Sequence, residues 1–202
     1  MAPRGFSLAI AVFLFISFSA SGAVADTLSP GAVIQEAASK IKIVLNNSRL
    51  SPAEKRAVIR KTVLPHLDVA RMAELVLGTH LKNNRSRMPE FIPLFTGLLE
   101  RAYLNLALLE RVTGIDVIVL SEKIDGDYAE VRTVLTAKNE SIDVTYRLQK
   151  KGDRWLVYDI LVKNLSLIAN YRAQFNYVIA ISSFDHLLQR MRVKLGEPEN
   201  EK

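Results

Sequence analysis

Between residues 114 and 162 the apolar period of the chain drops from that of a helix to two, and this narrows the possible folds more than any other feature. Ile142, Val144, Tyr146 and Leu148 alternate with Ser141, Asp143, Thr145 and Arg147, the pattern of a strand with one buried face. Val131, Thr133 and Leu135 alternate with Glu130, Arg132 and Val134 just before them. Turn-forming residues separate the runs at Asp125-Gly126, Lys138-Asn139-Glu140 and Lys151-Gly152-Asp153. The spacing predicts four strands, near 114–122, 127–138, 141–150 and 154–162, in an antiparallel meander.

Helical patterns flank this region. Ser29 as N-cap and Pro30 at the first position open a helix to Asn46, with Ile34, Ala38, Ile41 and Leu45 as its stripe. Ser51 and Glu54 form a capping-box pattern for a second helix, which Pro65 interrupts. A third runs roughly from Val69 to Leu81 and turns Met72, Ala73, Val76 and Leu77 inward. The longest is expected from Pro89 to about Val112, provided that Pro93 lies in the first turn. Phe91, Leu94, Phe95, Leu98, Leu99, Ala102, Tyr103 and Leu106 keep its spacing, and Leu104, Leu108 and Leu109 widen the stripe. After the strands, Asn164 or Ser166 caps a helix through Tyr177, and Ser183 caps one from Phe184 to Leu195 that buries Leu187, Leu188 and Met191. The expected architecture is α+β, with helices on one face of a curved four-stranded antiparallel sheet. Such a sheet can enclose an apolar cavity, the natural seat of a small apolar ligand.

The first residues address the chain rather than fold it. Arg4, an apolar run from Phe6 to Phe18 and the small-residue end Ala23-Val24-Ala25 read as a secretory signal peptide over residues 1–25, cleaved after Ala25 to leave Asp26 as the new N-terminus. The run falls short of the roughly 20 residues that span a bilayer; an uncleaved anchor is the alternative. Residues 26–196 then form a single domain, and 197–202 a disordered tail. The chain has no cysteine, so it carries no disulfide framework, no thiolate metal site and no acylated lipoprotein N-terminus. Its formal charge is +6, of which Arg4 supplies one unit. A basic surface suits acidic partners or anionic headgroups, and export argues against nucleic acid.

Catalytic patterns are scarce. His66, His80 and His186 fall on three separate predicted elements without metal-ligand spacing, and no nucleophile elbow, zinc-protease motif or phosphate loop occurs. Asp159, inside the apolar run Trp155-Leu156-Val157-Tyr158-Asp159-Ile160, is the one acid placed where a general base could sit, although a partnered structural carboxylate fits as well. Strand alternation sets it opposite Tyr158.

Two segments carry a family likeness. The first is Val63-Leu64-Pro65-His66-Leu67-Asp68, continued by Met72-Ala73-Glu74-Leu75-Val76-Leu77-Gly78. The second runs from Trp155 through Val157-Tyr158-Asp159-Ile160 and Leu165-Ser166-Leu167 to Asn170-Tyr171-Arg172-Ala173-Gln174-Phe175. Together, in order and spacing over nearly the whole chain after the signal, they resemble the MlaC, or toluene-tolerance, family. Lys163-Asn164 stands where relatives often have Glu-Gly, a tryptophan of relatives is replaced near Leu81, and Arg87-Met88 replaces a common Gln-Arg.

The resemblance implies an NTF2-like fold and a role as a periplasmic carrier. Such a carrier moves phospholipid between an outer-membrane lipoprotein complex and an inner-membrane ABC transporter, with no cofactor, no metal and no catalytic residue. We expect a monomer. Val76, Leu99, Tyr103 and Leu106 from helices, and Val131, Val144, Tyr146 and Leu148 from strands, are the expected lipid-lining residues. Asp68, Gly78, Tyr158, Asp159, Ser166, Arg172, Gln174 and Phe175 are the expected structural motif, braced through an Asp159–Arg172 pair. Other readings are a carrier of another lipid such as a hopanoid, a cavity enzyme using Asp159 with Tyr158 or Tyr146, and an envelope protein that binds a partner through a basic face.

Overall fold

In a computed structural model, which describes residues 28–103, 116–137 and 140–196, side-chain caps set the helix starts. Ser29 Oγ accepts the Ala32 N–H at 3.2 Å and opens α1 (Pro30–Asn46). The capping box of α2 (Pro52–Val63) is complete, with Glu54 N–H on Ser51 Oγ and Ser51 N–H on the Glu54 carboxylate. Asp68 caps α3 (Val69–Leu77) through the Arg71 N–H. This helix stops four residues before the expected Leu81. Gly78, at φ 52° and ψ −119°, turns the chain into a 3-10 turn and the short α4 (Leu81–Asn84).

The next helix, α5 (Met88–Tyr103), places Pro93 at its sixth residue rather than in its first turn. The proline deprives the Pro89 carbonyl of its helical donor. The apolar face of Phe91, Phe95, Leu98 and Leu99, all buried, holds the helix regardless. Its expected continuation to Val112 falls on residues outside the described ones.

Among the described residues five strands follow, one more than expected: β1 (Asp116–Asp125), β2 (Tyr128–Ala137), β3 (Glu140–Lys151), β4 (Arg154–Val162) and the two-residue β5 (Leu165–Ser166). They pair antiparallel in sequence order. The β4–β5 turn uses Lys163 and Asn164 at φ 49° and 65°. Two consecutive left-handed residues are what a tight hairpin turn of this kind requires. Ser166, not Asn164, therefore caps α6 (Leu167–Ile181), accepting the Ala169 N–H at 3.0 Å. Ser183 accepts the His186 N–H and opens α7 (Phe184–Gly196).

Register fixes the faces. Ala129 lies opposite Leu148, Val131 opposite Tyr146 and Thr133 opposite Val144, so the alternating apolar sets of β2 and β3 share one side. On β4, Leu148 pairs with Val157 and Arg147 with Asp159. Tyr158 is left without a partner, which makes a bulge, and beyond it Ile160 faces the same side as Tyr146.

Two apolar cores result. One joins α3, α5, α6 and α7 around Met72, Val76, Phe91, Phe95, Phe175, Leu187 and Leu188. Its aromatic centre has Phe91 and Phe95 edge-to-face with Phe175, at 5.8 and 6.2 Å between centroids. Gly97 lets α5 approach α7, since a Cβ there would meet Leu195 at 3.0 Å. The other core packs Val33 and Ile34 of α1 onto Ala129, Val131, Leu148, Trp155 and Val157 of the sheet. No helix among the described residues is long and apolar enough to cross a membrane.

Candidate functional site

Where the two cores meet they do not merge. Leu67 touches both, and beside it lies a cavity of about 70 Å³ walled by Val63, Leu64, Leu67, Met72, Leu99, Glu100, Ile160 and Leu167. The walls come from α2 and the 3-10 turn after it, from α3, α5, β4 and α6. Glu100 is the one charged member. Its Oε1 lies 2.8 Å from Nε of Arg60 on α2, so the carboxylate has a cation across the gap between the two helices.

The elements around this cavity are tied by two buried carboxylates. Asp68 caps α3, donates its own N–H to the Val157 carbonyl at 2.8 Å and pairs with Lys151 Nζ at 2.6 Å. That locks the start of α3 to the sheet. Asp159, 4% exposed, accepts from Ser166 Oγ at 2.8 Å, from the Ile168 N–H at 3.1 Å and from the Ile160 N–H at 2.9 Å. Arg147 stands 3.5 Å away. The acid therefore sits at the N-terminus of α6, where a carboxylate is favoured.

The expected Asp159–Arg172 pair is not formed. Arg172 Nε donates instead to the Leu75 carbonyl at 2.7 Å, a cation at the C-terminal end of α3. Gly78 lies beneath the same guanidinium. Asp68, Asp159, Ser166 and Arg172 each bond to a helix end, and none of them forms the expected Asp159–Arg172 pair. Phe175 is in the helical core, and Gln174 bonds to Asn170 on an exposed face.

Of the expected lining residues, Leu99 is on the cavity wall. Val76 lies in the helical core, Val131 and Leu148 in the sheet core, and Val144 is buried on the same sheet face. Tyr146 packs against the sheet core, and burial raises its pKa, partly offset by a hydrogen bond with Thr133. Leu106 and the Tyr103 side chain lie outside the described residues.

The bulge suspends the strict alternation that separated Tyr158 from Asp159, and both stand near Arg147. Burial raises the Tyr158 pKa, Arg147 opposes that rise and Asp159 adds to it. Asp159 nevertheless gives its oxygens to three donors within the fold.

Sequence periodicity missed Val63, Leu64, Leu67, Met72, Glu100, Ile160 and Leu167 as wall residues. The available signal was Glu100, a carboxylate directly after Leu99 on a broadly apolar helix.

A second depression, about 690 Å³ and open to solvent, runs between α5, α6 and α7 over Leu98, Phe175, Val178 and Met191, with Arg101, Arg190 and Lys194 on its rim. Among the described residues no group of His, Asp and Glu could hold a metal ion.

Helices packed on one antiparallel sheet, with a small apolar gap between two cores, define an α+β domain. The MlaC protein family matches residues 34–193, and the chain belongs to that family. A relative, the intermembrane phospholipid transport system binding protein MlaC of Haemophilus influenzae, is 25% identical over 187 residues, covering 87% of this chain and 86% of that protein. The phospholipid-binding protein of Ralstonia solanacearum, solved in complex with a phospholipid, superposes with a TM-score of 0.74 at 21% identity. That match covers 84% of this chain and the whole of the solved one, and it shows the shared fold.

Proposed function

We propose that this protein is a periplasmic phospholipid carrier. In this reading it loses residues 1–25 on export and moves lipid between an outer-membrane lipoprotein complex and an inner-membrane ABC transporter. The observation that carries the proposal is the apolar cavity at the junction of the two cores, in a chain of the MlaC family. The relative's name and the lipid in the Ralstonia structure support the cargo class.

The physical need is plain. Each CH₂ of an acyl chain left in water costs about 0.8 kcal/mol, so transit between membranes requires a dry enclosure. The cavity supplies an apolar lining from parts of five helical or strand elements. Asp159, the one candidate general base, is committed to anchoring α6, which favours binding over turnover.

Native mass spectrometry of protein purified from the periplasm, followed by lipid extraction, tests the reading. One phospholipid per chain and an N-terminus at Asp26 are expected. Lipid-free protein that also takes none from vesicles would refute it.

A further inference from the structure

The open depression between α5, α6 and α7 lies on the far side of α5 from the cavity. Leu98, Arg101 and Ala102 line it, whereas Leu99 and Glu100 line the cavity, and at about 3.6 residues per turn the two sets point in opposite directions. The floor of this groove is apolar, with Phe175, Leu187 and Met191 buried beneath it. The stripe that α6 turns toward it, Tyr171, Gln174, Phe175 and Val178, continues by helical spacing to Ile181, which is 64% exposed, and α7 adds Val193, 52% exposed. The rim is basic. Arg101 is held by the Lys194 carbonyl at 2.7 Å, and Arg190 and Lys194 stand along the edge. No aspartate or glutamate lines the groove among the described residues. Arg192 on the same helix has Glu90 as its partner, while Arg190 and Lys194 meet no acid among the described residues.

We propose that this groove docks an acidic amphipathic helix of a partner protein. An apolar floor bounded by cations fits a helix with one apolar face flanked by glutamates or aspartates. From Tyr171 to Ile181 the stripe runs about 15 Å, which gives room for anchors at i, i+3 or i+4, and i+7. Two other occupants satisfy less of it. The chain's own end, Glu197-Pro198-Glu199-Asn200-Glu201-Lys202, offers acids to the rim but no large apolar side chain to the floor. An anionic bilayer offers charge to the rim, yet a flat surface does not reach Phe175 and Met191 below it. A helix meets floor and rim together. The groove and the cavity share no residue, so the assignment is independent of the cargo.

The test titrates the exported chain into two fluorescent helical peptides with the same leucine face, one flanked by glutamates and the other by lysines, and reads anisotropy. The glutamate peptide should bind about tenfold more tightly, and added salt should narrow the gap. Arg190→Glu combined with Lys194→Glu should weaken that peptide about tenfold and strengthen the lysine one. Ile181→Ser should weaken the glutamate peptide about fivefold through lost apolar contact. Lys61→Glu with Lys82→Glu makes the same change in net charge at exposed positions outside the groove and should alter affinity less than about twofold. Circular dichroism confirms that each variant folds. Equal binding of the two peptides, or equal losses in the two charge-reversed pairs, overturns the proposal. Glutamate-peptide binding that emerges only when residues 197–202 are deleted gives the groove to the chain's own end. Rim-dependent capture by phosphatidylglycerol vesicles without peptide binding gives it to a membrane surface. Either result overturns the helix assignment.

Discussion

Replacing Asp159 by alanine separates an anchoring role from a role in cargo or chemistry. The carboxylate accepts from Ile160 N–H, Ser166 Oγ and the buried Ile168 N–H at 2.9, 2.8 and 3.1 Å, with Arg147 at 3.5 Å. The Arg147 side chain is 41% exposed and rehydrates when its partner goes, so the ion pair contributes little. Ser166 keeps its cap to Ala169. The weight falls on the Ile168 N–H, whose stranding costs about 1–3 kcal/mol, and on the lost charge-assisted bonds, for a total near 3 kcal/mol. At about 2–4 °C per kcal/mol for a chain of this size, the Tm should fall by about 6–12 °C. Asp159→Asn keeps an oxygen for the backbone donors and should cost about 1 kcal/mol. Thermal unfolding by circular dichroism, with bound lipid measured on the same folded samples, reads both effects. Lipid per chain should not change. A Tm within about 2 °C of wild type, the shift of about half a kcal/mol, would refute the anchoring role, and an intact Tm with lipid lost would assign Asp159 to the cargo.

Backbone strain offers two opposite changes. Lys163→Gly, at φ 49°, should raise stability by about 0.5–1 kcal/mol, whereas Gly78→Ala, at φ 52° and ψ −119°, should lower it by about 1–3 kcal/mol; urea midpoints at constant m check both. Leu64→Trp, on a half-buried part of the cavity wall, should abolish lipid loading from vesicles while the circular dichroism spectrum stays native, because it fills the space that the chain must enter. His66 gives a pH dependence. Burial lowers its pKa from 6.5, with Glu36 opposing and Lys40 and Arg154 assisting. The unfolded chain thus takes up the proton first, and stability declines as pH falls below about 6.5. Melting at pH 7.5 and 5.5 should show a smaller acid loss for His66→Gln than for wild type.

The helix starts and the strand faces were legible because each depends on neighbours in sequence. Ser29, Ser51, Ser166 and Ser183 cap as their local patterns require, and the alternation in β2 and β3 predicted the face shared by Val131, Val144, Tyr146 and Leu148. Partners set by long-range geometry were not. Asp159 and Arg172 are complementary charges in one motif, yet each answers to a helix end. The acid meets the N-terminus of α6 and the base meets the last carbonyls of α3, the pairing that helix dipoles favour. The bulge at Tyr158 was hidden for the same reason. Trp155 to Ile160 reads as an unbroken strand, and only the partner register of β3 reveals the extra residue.

The cavity is the hardest feature to read because no single element makes it. Periodicity tells which side chains point inward, and Met72, Leu99 and Leu167 all do. It does not tell where two inward sets fail to meet. Here the gap lies beside the bulge in β4, which stays paired with β3 on both sides of it. Ahead of the bulge, Trp155 and Val157 pack with α1 in the sheet core. Beyond it, Asp159 is drawn to α6 and Ile160 is carried to the gap between the cores. The residues that anchor α6 and those that wall the cavity are therefore adjacent in sequence and distinct in role. A change at Asp159 should act on folding, and one at Leu64 on cargo. Stability and lipid content measured together separate the two sets, which sequence position alone does not.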